Sequence, residues 1–161
     1  MNIKIIKIIL SWVAVIASVF MICNFSMEDS TESTETSSGL IKDVLEVVMP
    51  EEEITPEVIK KYQLPVRKIA HFGIYMLLGF CLGNAFVNTT PLKLYFNLGI
   101  SLISLFAFSV FDEMIIQSAT KGRGPAFTDC LIDTAGGFLG ILTFCLILFI
   151  KIRILSKKNP S

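Results

Sequence analysis

Charge is scarce in this sequence, and that scarcity decides the class of protein. Of 161 residues, only 17% are Asp, Glu, Lys or Arg, where a soluble domain carries about 25%. The 14 bases are offset by 14 acids, so there is no basic surplus for a nucleic-acid partner. Histidine occurs once, and the four cysteines form no C-x-x-C pair, which removes the usual signs of a redox motif or a disulfide framework. Cys81 and Cys145 fall inside apolar runs and read as small fillers. Catalytic signatures are missing as well: there is no G-x-S-x-G, no H-E-x-x-H and no glycine-rich phosphate loop. What remains is 53% apolar, with a mean hydropathy of +0.68, which excludes a disordered chain and argues against an ordinary globular enzyme.

What the chain does have is long apolar runs. A helix needs roughly 20 mostly apolar residues to cross the hydrocarbon core. Ile8 to Phe25 holds 18 residues without a charge, and Ile69 to Leu92 holds 24 with His71 as the one group that charges near neutral pH. Leu94 to Phe111 and Thr134 to Ile150 add 18 and 17. None alternates polar and apolar residues as a barrel wall would. The sequence therefore predicts an all-α integral membrane protein. It is a single domain over 1–161 folded as a four-helix bundle, with transmembrane helices near 5–25, 68–88, 93–116 and 129–151. The first run exceeds the ~7–15 residues of a signal peptide core and has no A-x-A site, so it reads as a retained anchor. Ile22, bulky beside Cys23, speaks against lipoprotein processing.

Charge is also badly mixed. Ser26 to Val66 holds 10 acids and 3 bases, and the rest of the chain 4 acids and 11 bases. Lys and Arg near the ends of membrane helices tend to stay cytoplasmic. Lys4, Lys7, Lys93, Lys151, Arg153, Lys157 and Lys158 all fall on one side of an even-numbered bundle, against Arg67, Lys68, Lys121 and Arg123 on the other. This predicts a multi-pass cell-membrane protein with both termini cytoplasmic and a long acidic extracytoplasmic loop at about 26–66. Within that loop Leu40, Ile41, Val44, Leu45 and Val48 follow helical spacing up to Pro50. Thr55-Pro56-Glu57 marks a second helix start, with an N-cap threonine, proline in the first turn and an acid at the positive dipole end. Two short amphipathic helices over the outer end of the bundle are expected.

Ionisable groups within membrane segments are expensive and are functional candidates by default. They occur here at three places. Arg67, Lys68, His71 and Tyr75 open the second span, and at 100° per residue the last three lie within about 60° of one another. Asp112, Glu113 and Gln117 close the third span. Arg123, in Gly122-Arg123-Gly124-Pro125, precedes Asp129 and Asp133 at the start of the fourth. Threading alone brings the start of span two, the end of span three and the start of span four to one face of the membrane. The candidate ligand pocket is therefore Lys68, His71, Tyr75, Asp112, Glu113, Gln117, Arg123, Asp129 and Asp133. Gly136 and Gly140 share a stripe with Asp129 and Asp133, in the small-xxx-small spacing of close helix packing. That stripe should turn the carboxylates inward.

Each residue also has a plainer reading. Arg67 and Lys68 can be snorkelling anchors, His71 a satisfied structural histidine, and Tyr75 an interhelical hydrogen bond. Asp112 and Glu113 can be helix-end charges in water, and Asp129 a favourable acid in a first turn. Arg123 can simply bridge to Asp129 or Asp133, although a guanidinium also suits planar oxyanions.

The ordered set Arg67-Lys68-Ile69-Ala70-His71-Phe72-x-x-Tyr75-x-x-Leu78-Gly79, Gln117, Gly122-Arg123-Gly124-Pro125 and Asp129-x-x-x-Asp133-x-x-Gly136-x-x-x-Gly140 resembles the VanZ-like family of small bacterial membrane proteins. Phe25-Ser26 followed by a Ser/Thr/Glu-rich stretch is similar too, and the resemblance covers nearly the whole chain. It implies a role at the bacterial cell envelope linked to resistance to the glycopeptide teicoplanin. It implies no reaction. One departure stands out: the family's acidic motif runs Asp-Glu-x-His-Gln, whereas this chain reads Asp112-Glu113-Met114-Ile115-Ile116-Gln117. The extra residue either displaces both carboxylates by 100° or puts Glu113 in the aspartate position. The motif's histidine is missing, which undercuts a two-histidine metal site. A lone His71 among carboxylates lacks clustered ligand spacing, so neither metal nor cofactor is assigned.

These features predict a non-enzymatic protein that binds an amphiphile's polar end. The expected partners are membrane lipid, a lipid-linked cell-wall precursor or a lipoglycopeptide, and no nucleic acid. The alternative is a membrane hydrolase or transferase with His71 as base, Glu113 or Asp133 as its orienter and Arg123 as oxyanion clamp. A helper subunit with no site is a third reading.

Overall fold

The computed structural model describes residues 2–28, 38–39, 41–47, 55–120 and 124–158, and every regular element among them is helical. Four helices are long and apolar enough to cross a membrane. They are α1 (Ile3–Met27), α2 (Pro56–Thr89), α3 (Leu94–Phe111, continued by a π-helical turn over Asp112–Gln117) and α4 (Phe127–Lys158). A helix satisfies all its backbone polar groups internally, which is what a span through hydrocarbon requires.

The start of α2 is built as its sequence dictates. Thr55 is the N-cap, its side chain accepting from the Val58 N–H, with Pro56 in the first turn and Glu57 at the positive dipole end. The helix does not stop there, however. It runs 34 residues without a break, so the expected second surface helix is an extension of the second span. Pro65 lies inside it. Proline lacks the N–H that would bond to the Lys61 carbonyl, yet one lost bond is outweighed by the long run of good formers on either side. Residues 41–47 form a separate short helix that buries Ile41 and Leu45 and leaves Val44 and Val47 exposed. Leu40 and Val48 lie outside the described residues.

α2 is the central helix: it packs on α1, α3 and α4, most extensively on α4. The α2–α4 crossing is close because glycines meet backbone. A methyl group at Gly140 would fall 1.9 Å from the Met76 carbonyl oxygen, and one at Gly136 would fall 2.3 Å from that of Phe72. Gly79 is equally tight, with 2.0 Å to the Gly137 carbonyl. No side chain fits there, so the stripe sets the distance between the two helices. On the other flank Val15 and Ile22 of α1 meet Tyr75, Leu78, Cys81, Leu82 and Ala85 of α2, with Leu105 of α3. Most other large apolar side chains, such as Ile16, Phe20, Ile103 and Leu146, face outward.

At the end away from α2's start, Ser11 accepts from Asn84 and Asn88, and Trp12 donates to Thr89 at 2.9 Å. The tight link from α2 to α3 is held by a Thr90 hydroxyl that donates to Asn97, which donates in turn to the Leu92 carbonyl at 3.2 Å.

Candidate functional site

The opposite end of the bundle carries the charged residues of three helices, and they meet rung by rung. At the rim Lys68 of α2 pairs with Asp129 in the first turn of α4, Nζ to Oδ1 at 2.5 Å. Beside it Arg67 donates to Oε1 of Gln117 at 3.1 Å. One turn deeper His71 Nδ1 lies 3.6 Å from Asp133 Oδ1, too long for a hydrogen bond. A further turn down, the Tyr75 hydroxyl donates to Asp112 Oδ2 at 3.1 Å. The common face of Lys68, His71 and Tyr75 is thus the face that meets the carboxylates.

Asp112 is wholly buried, and one of its oxygens takes three donors. Besides Tyr75, Oδ2 accepts from the Ser26 hydroxyl at 2.9 Å and from Gln117 Nε2 at 3.4 Å. Its other oxygen, Oδ1, has no hydrogen-bond partner, and the same is true of Asp133 Oδ2. Glu113 differs: Oε2 accepts from Gln117 at 2.6 Å and Oε1 accepts from the Ala126 N–H at 2.8 Å. Both its oxygens are engaged, Oε2 within the turn itself and Oε1 in tying the end of α3 to the start of α4.

The π-helical turn explains how Asp112, Glu113 and Gln117 are all buried. In an α-helix Asp112 and Gln117 would point about 140° apart, five residues at 100° each. A π turn closes on the fifth residue instead of the fourth, which brings both to the inner side. The extra residue between Glu113 and Gln117 is absorbed as this local widening. Met114 and Ile115 turn outward, while neither carboxylate is displaced from the interior.

Between the rungs lies a small cavity of about 10 Å³, bounded by Arg67, Lys68, His71, Gln117, Asp129, Ile132 and Asp133. That is room for about one water molecule. A lipid or sugar head group does not fit inside; it would have to be held at the rim, where the Lys68 side chain is 40% exposed.

The structure therefore brings together Lys68, His71, Tyr75, Asp112, Glu113, Gln117, Asp129 and Asp133. Arg123 lies outside the described residues. One participant escaped the sequence reading as a site member. Ser26 reaches Asp112 across 86 positions; its signals are the Phe25-Ser26 pair of the resemblance and a place on the buried stripe of α1, with Ser11, Val15, Ser18 and Ile22. Arg67, which reads equally well as an anchor, turns inward to Gln117.

Comparison with known proteins adds one decisive observation: the family model described as VanZ/LLP1 matches residues 10–149. The chain belongs to the VanZ/LLP1 family. The match takes in most of all four long helices and every residue of the polar cluster. No curated protein and no solved structure matches the chain. Membership and the four apolar helices together make this VanZ/LLP1 chain a multi-pass membrane protein.

Proposed function

We propose that this VanZ/LLP1 protein holds the polar end of an amphiphile at the outer face of the bacterial cell membrane, without turning it over, and that it is related in this way to glycopeptide resistance. The observation that carries the reading is the polar cluster that α2, α3 and α4 bring to one end of the bundle, with the Lys68–Asp129 ion pair at its exposed rim. A mixed-charge rim at the membrane interface suits a lipid head group, a lipid-linked cell-wall precursor or an acylated glycopeptide, since the acyl chain stays in the bilayer while the head meets the rim. The bases Lys4, Lys7, Lys93, Lys151 and Arg153 at the other end support cytoplasmic termini and an outward-facing cluster.

Teicoplanin carries an acyl chain and vancomycin does not, so the two drugs separate a membrane-level effect from a general one. Expression in a susceptible host is expected to raise tolerance to teicoplanin and leave vancomycin inhibition unchanged. Equal protection against both drugs, or protection against neither, overturns the reading.

A second reading, a hydrolase or transferase on a lipid-linked substrate, draws on one observation: His71 stands beside Asp133 at the cavity wall, as a base beside its orienter. Turnover of such a substrate that disappears in His71→Ala, with folding intact, would select it.

A further inference from the structure

Two aspartates buried with no cation bonded to them need a physical account. Asp112 is 0% exposed and Asp133 is 1% exposed. Each has one oxygen with no hydrogen-bond partner. A buried carboxylate oxygen without a partner forfeits its hydration for nothing, at a cost of a few kcal/mol or more. Asp112 receives only neutral donors, from Ser26, Tyr75 and Gln117, and all on the same oxygen. That is how the outer partners of a metal-bound carboxylate are arranged: they fix one oxygen and aim the other.

His71, Asp112 and Asp133 each offer a donor atom, and the three atoms lie within 4.8 Å of one another. Zinc binds nitrogen and carboxylate oxygen at about 2.0–2.2 Å, so donors on one tetrahedral ion stand about 3.4 Å apart. The His71–Asp133 separation of 3.6 Å is too long for a hydrogen bond and close to that spacing. One imidazole and two carboxylates give a net charge of −2, which a divalent ion cancels inside a medium that tolerates no net charge well. The adjoining cavity, which His71 and Asp133 help to wall, leaves space for about one more atom at an open coordination position.

We infer that His71, Asp112 and Asp133 bind one divalent transition-metal ion of zinc's chemistry at the floor of the polar cluster. The inference depends neither on the amphiphile nor on the orientation of the chain, so its failure leaves those readings where they stand.

The test uses the full-length chain without an affinity tag, in detergent, stripped by a chelator and titrated with Co²⁺ and then Zn²⁺. One Co²⁺ per chain is expected, with a visible absorption band that an equimolar amount of Zn²⁺ abolishes. Asp133→Asn and His71→Ala should each weaken Zn²⁺ binding by at least about 10-fold, whereas Asn88→Ala, at the other end of the bundle, should not. Tyr75→Phe keeps all three ligands and should shift the cobalt band through Asp112. A folded wild-type chain that gives no saturable cobalt band overturns the inference, whatever the variants do. Unchanged affinity in Asp133→Asn and His71→Ala overturns it equally.

Discussion

Tyr75 illustrates how much of the site is a matter of single hydroxyl groups. Its ring sits in the apolar contact of α1 with α2, and its hydroxyl reaches one oxygen of Asp112. Because Ser26 and Gln117 serve the same oxygen, Tyr75→Phe should fold and lose only about 1 kcal/mol, the usual value of an interhelical bond in a membrane protein. Thermal unfolding in detergent measures this; complete loss of the fold would mean that Asp112 depends on Tyr75 alone. Lys68, His71 and Tyr75 were legible as one face because helical geometry fixes their angles. Ser26 was not, since a serine in an apolar helix can satisfy its hydroxyl on its own preceding turn, as Ser11 and Ser18 do with Lys7 and Ala14. Nothing local announces a partner on another helix.

At the scale of the element, periodicity located four long apolar helices but divided one of them in two. Thr55-Pro56-Glu57 is a helix start that reads the same whether the helix is short or 34 residues long, and Pro65 adds a false stop. The extra residue before Gln117 posed the opposite problem: its position was evident, its consequence was not, because insertion can rotate a helix or widen it. Widening wins here because rotation would carry either Asp112 or Gln117 out toward lipid, where a polar group is costly. Deleting Ile115, an exposed residue of the π turn, should then restore an α-helical turn with Gln117 four places from Asp112. Such a chain is expected to fold with a stability change within about 1 kcal/mol. Deleting Phe108, inside regular α-helix, should instead turn everything beyond it by about 100° and abolish the fold. Comparable loss of folded protein in both deletions, read by size-exclusion chromatography and thermal unfolding, would contradict the insertion account.

The whole molecule owes its site to threading. Residues 67–75, 112–117 and 129–133 are far apart in sequence, and an antiparallel sequence of crossings returns them to the same end, where Lys68 pairs with Asp129, His71 stands beside Asp133, Arg67 bonds to Gln117 and Tyr75 to Asp112. That much was legible in the order of apolar runs and charges. The size of the cavity was not: with about 10 Å³ between the rungs, packing leaves room for about one water molecule, and anything larger would have to be held at the rim. The most direct test of the account is the compartment of each end. Single cysteines at Glu57 and Gly124, and at Lys93 and Ser156, would be probed with a membrane-impermeant maleimide on intact cells, in a chain whose four own cysteines are replaced by alanine. Labelling is expected at Glu57 and Gly124 from outside, and at Lys93 and Ser156 only after the cells are opened. Labelling of Glu57 and Gly124 from opposite sides would contradict it.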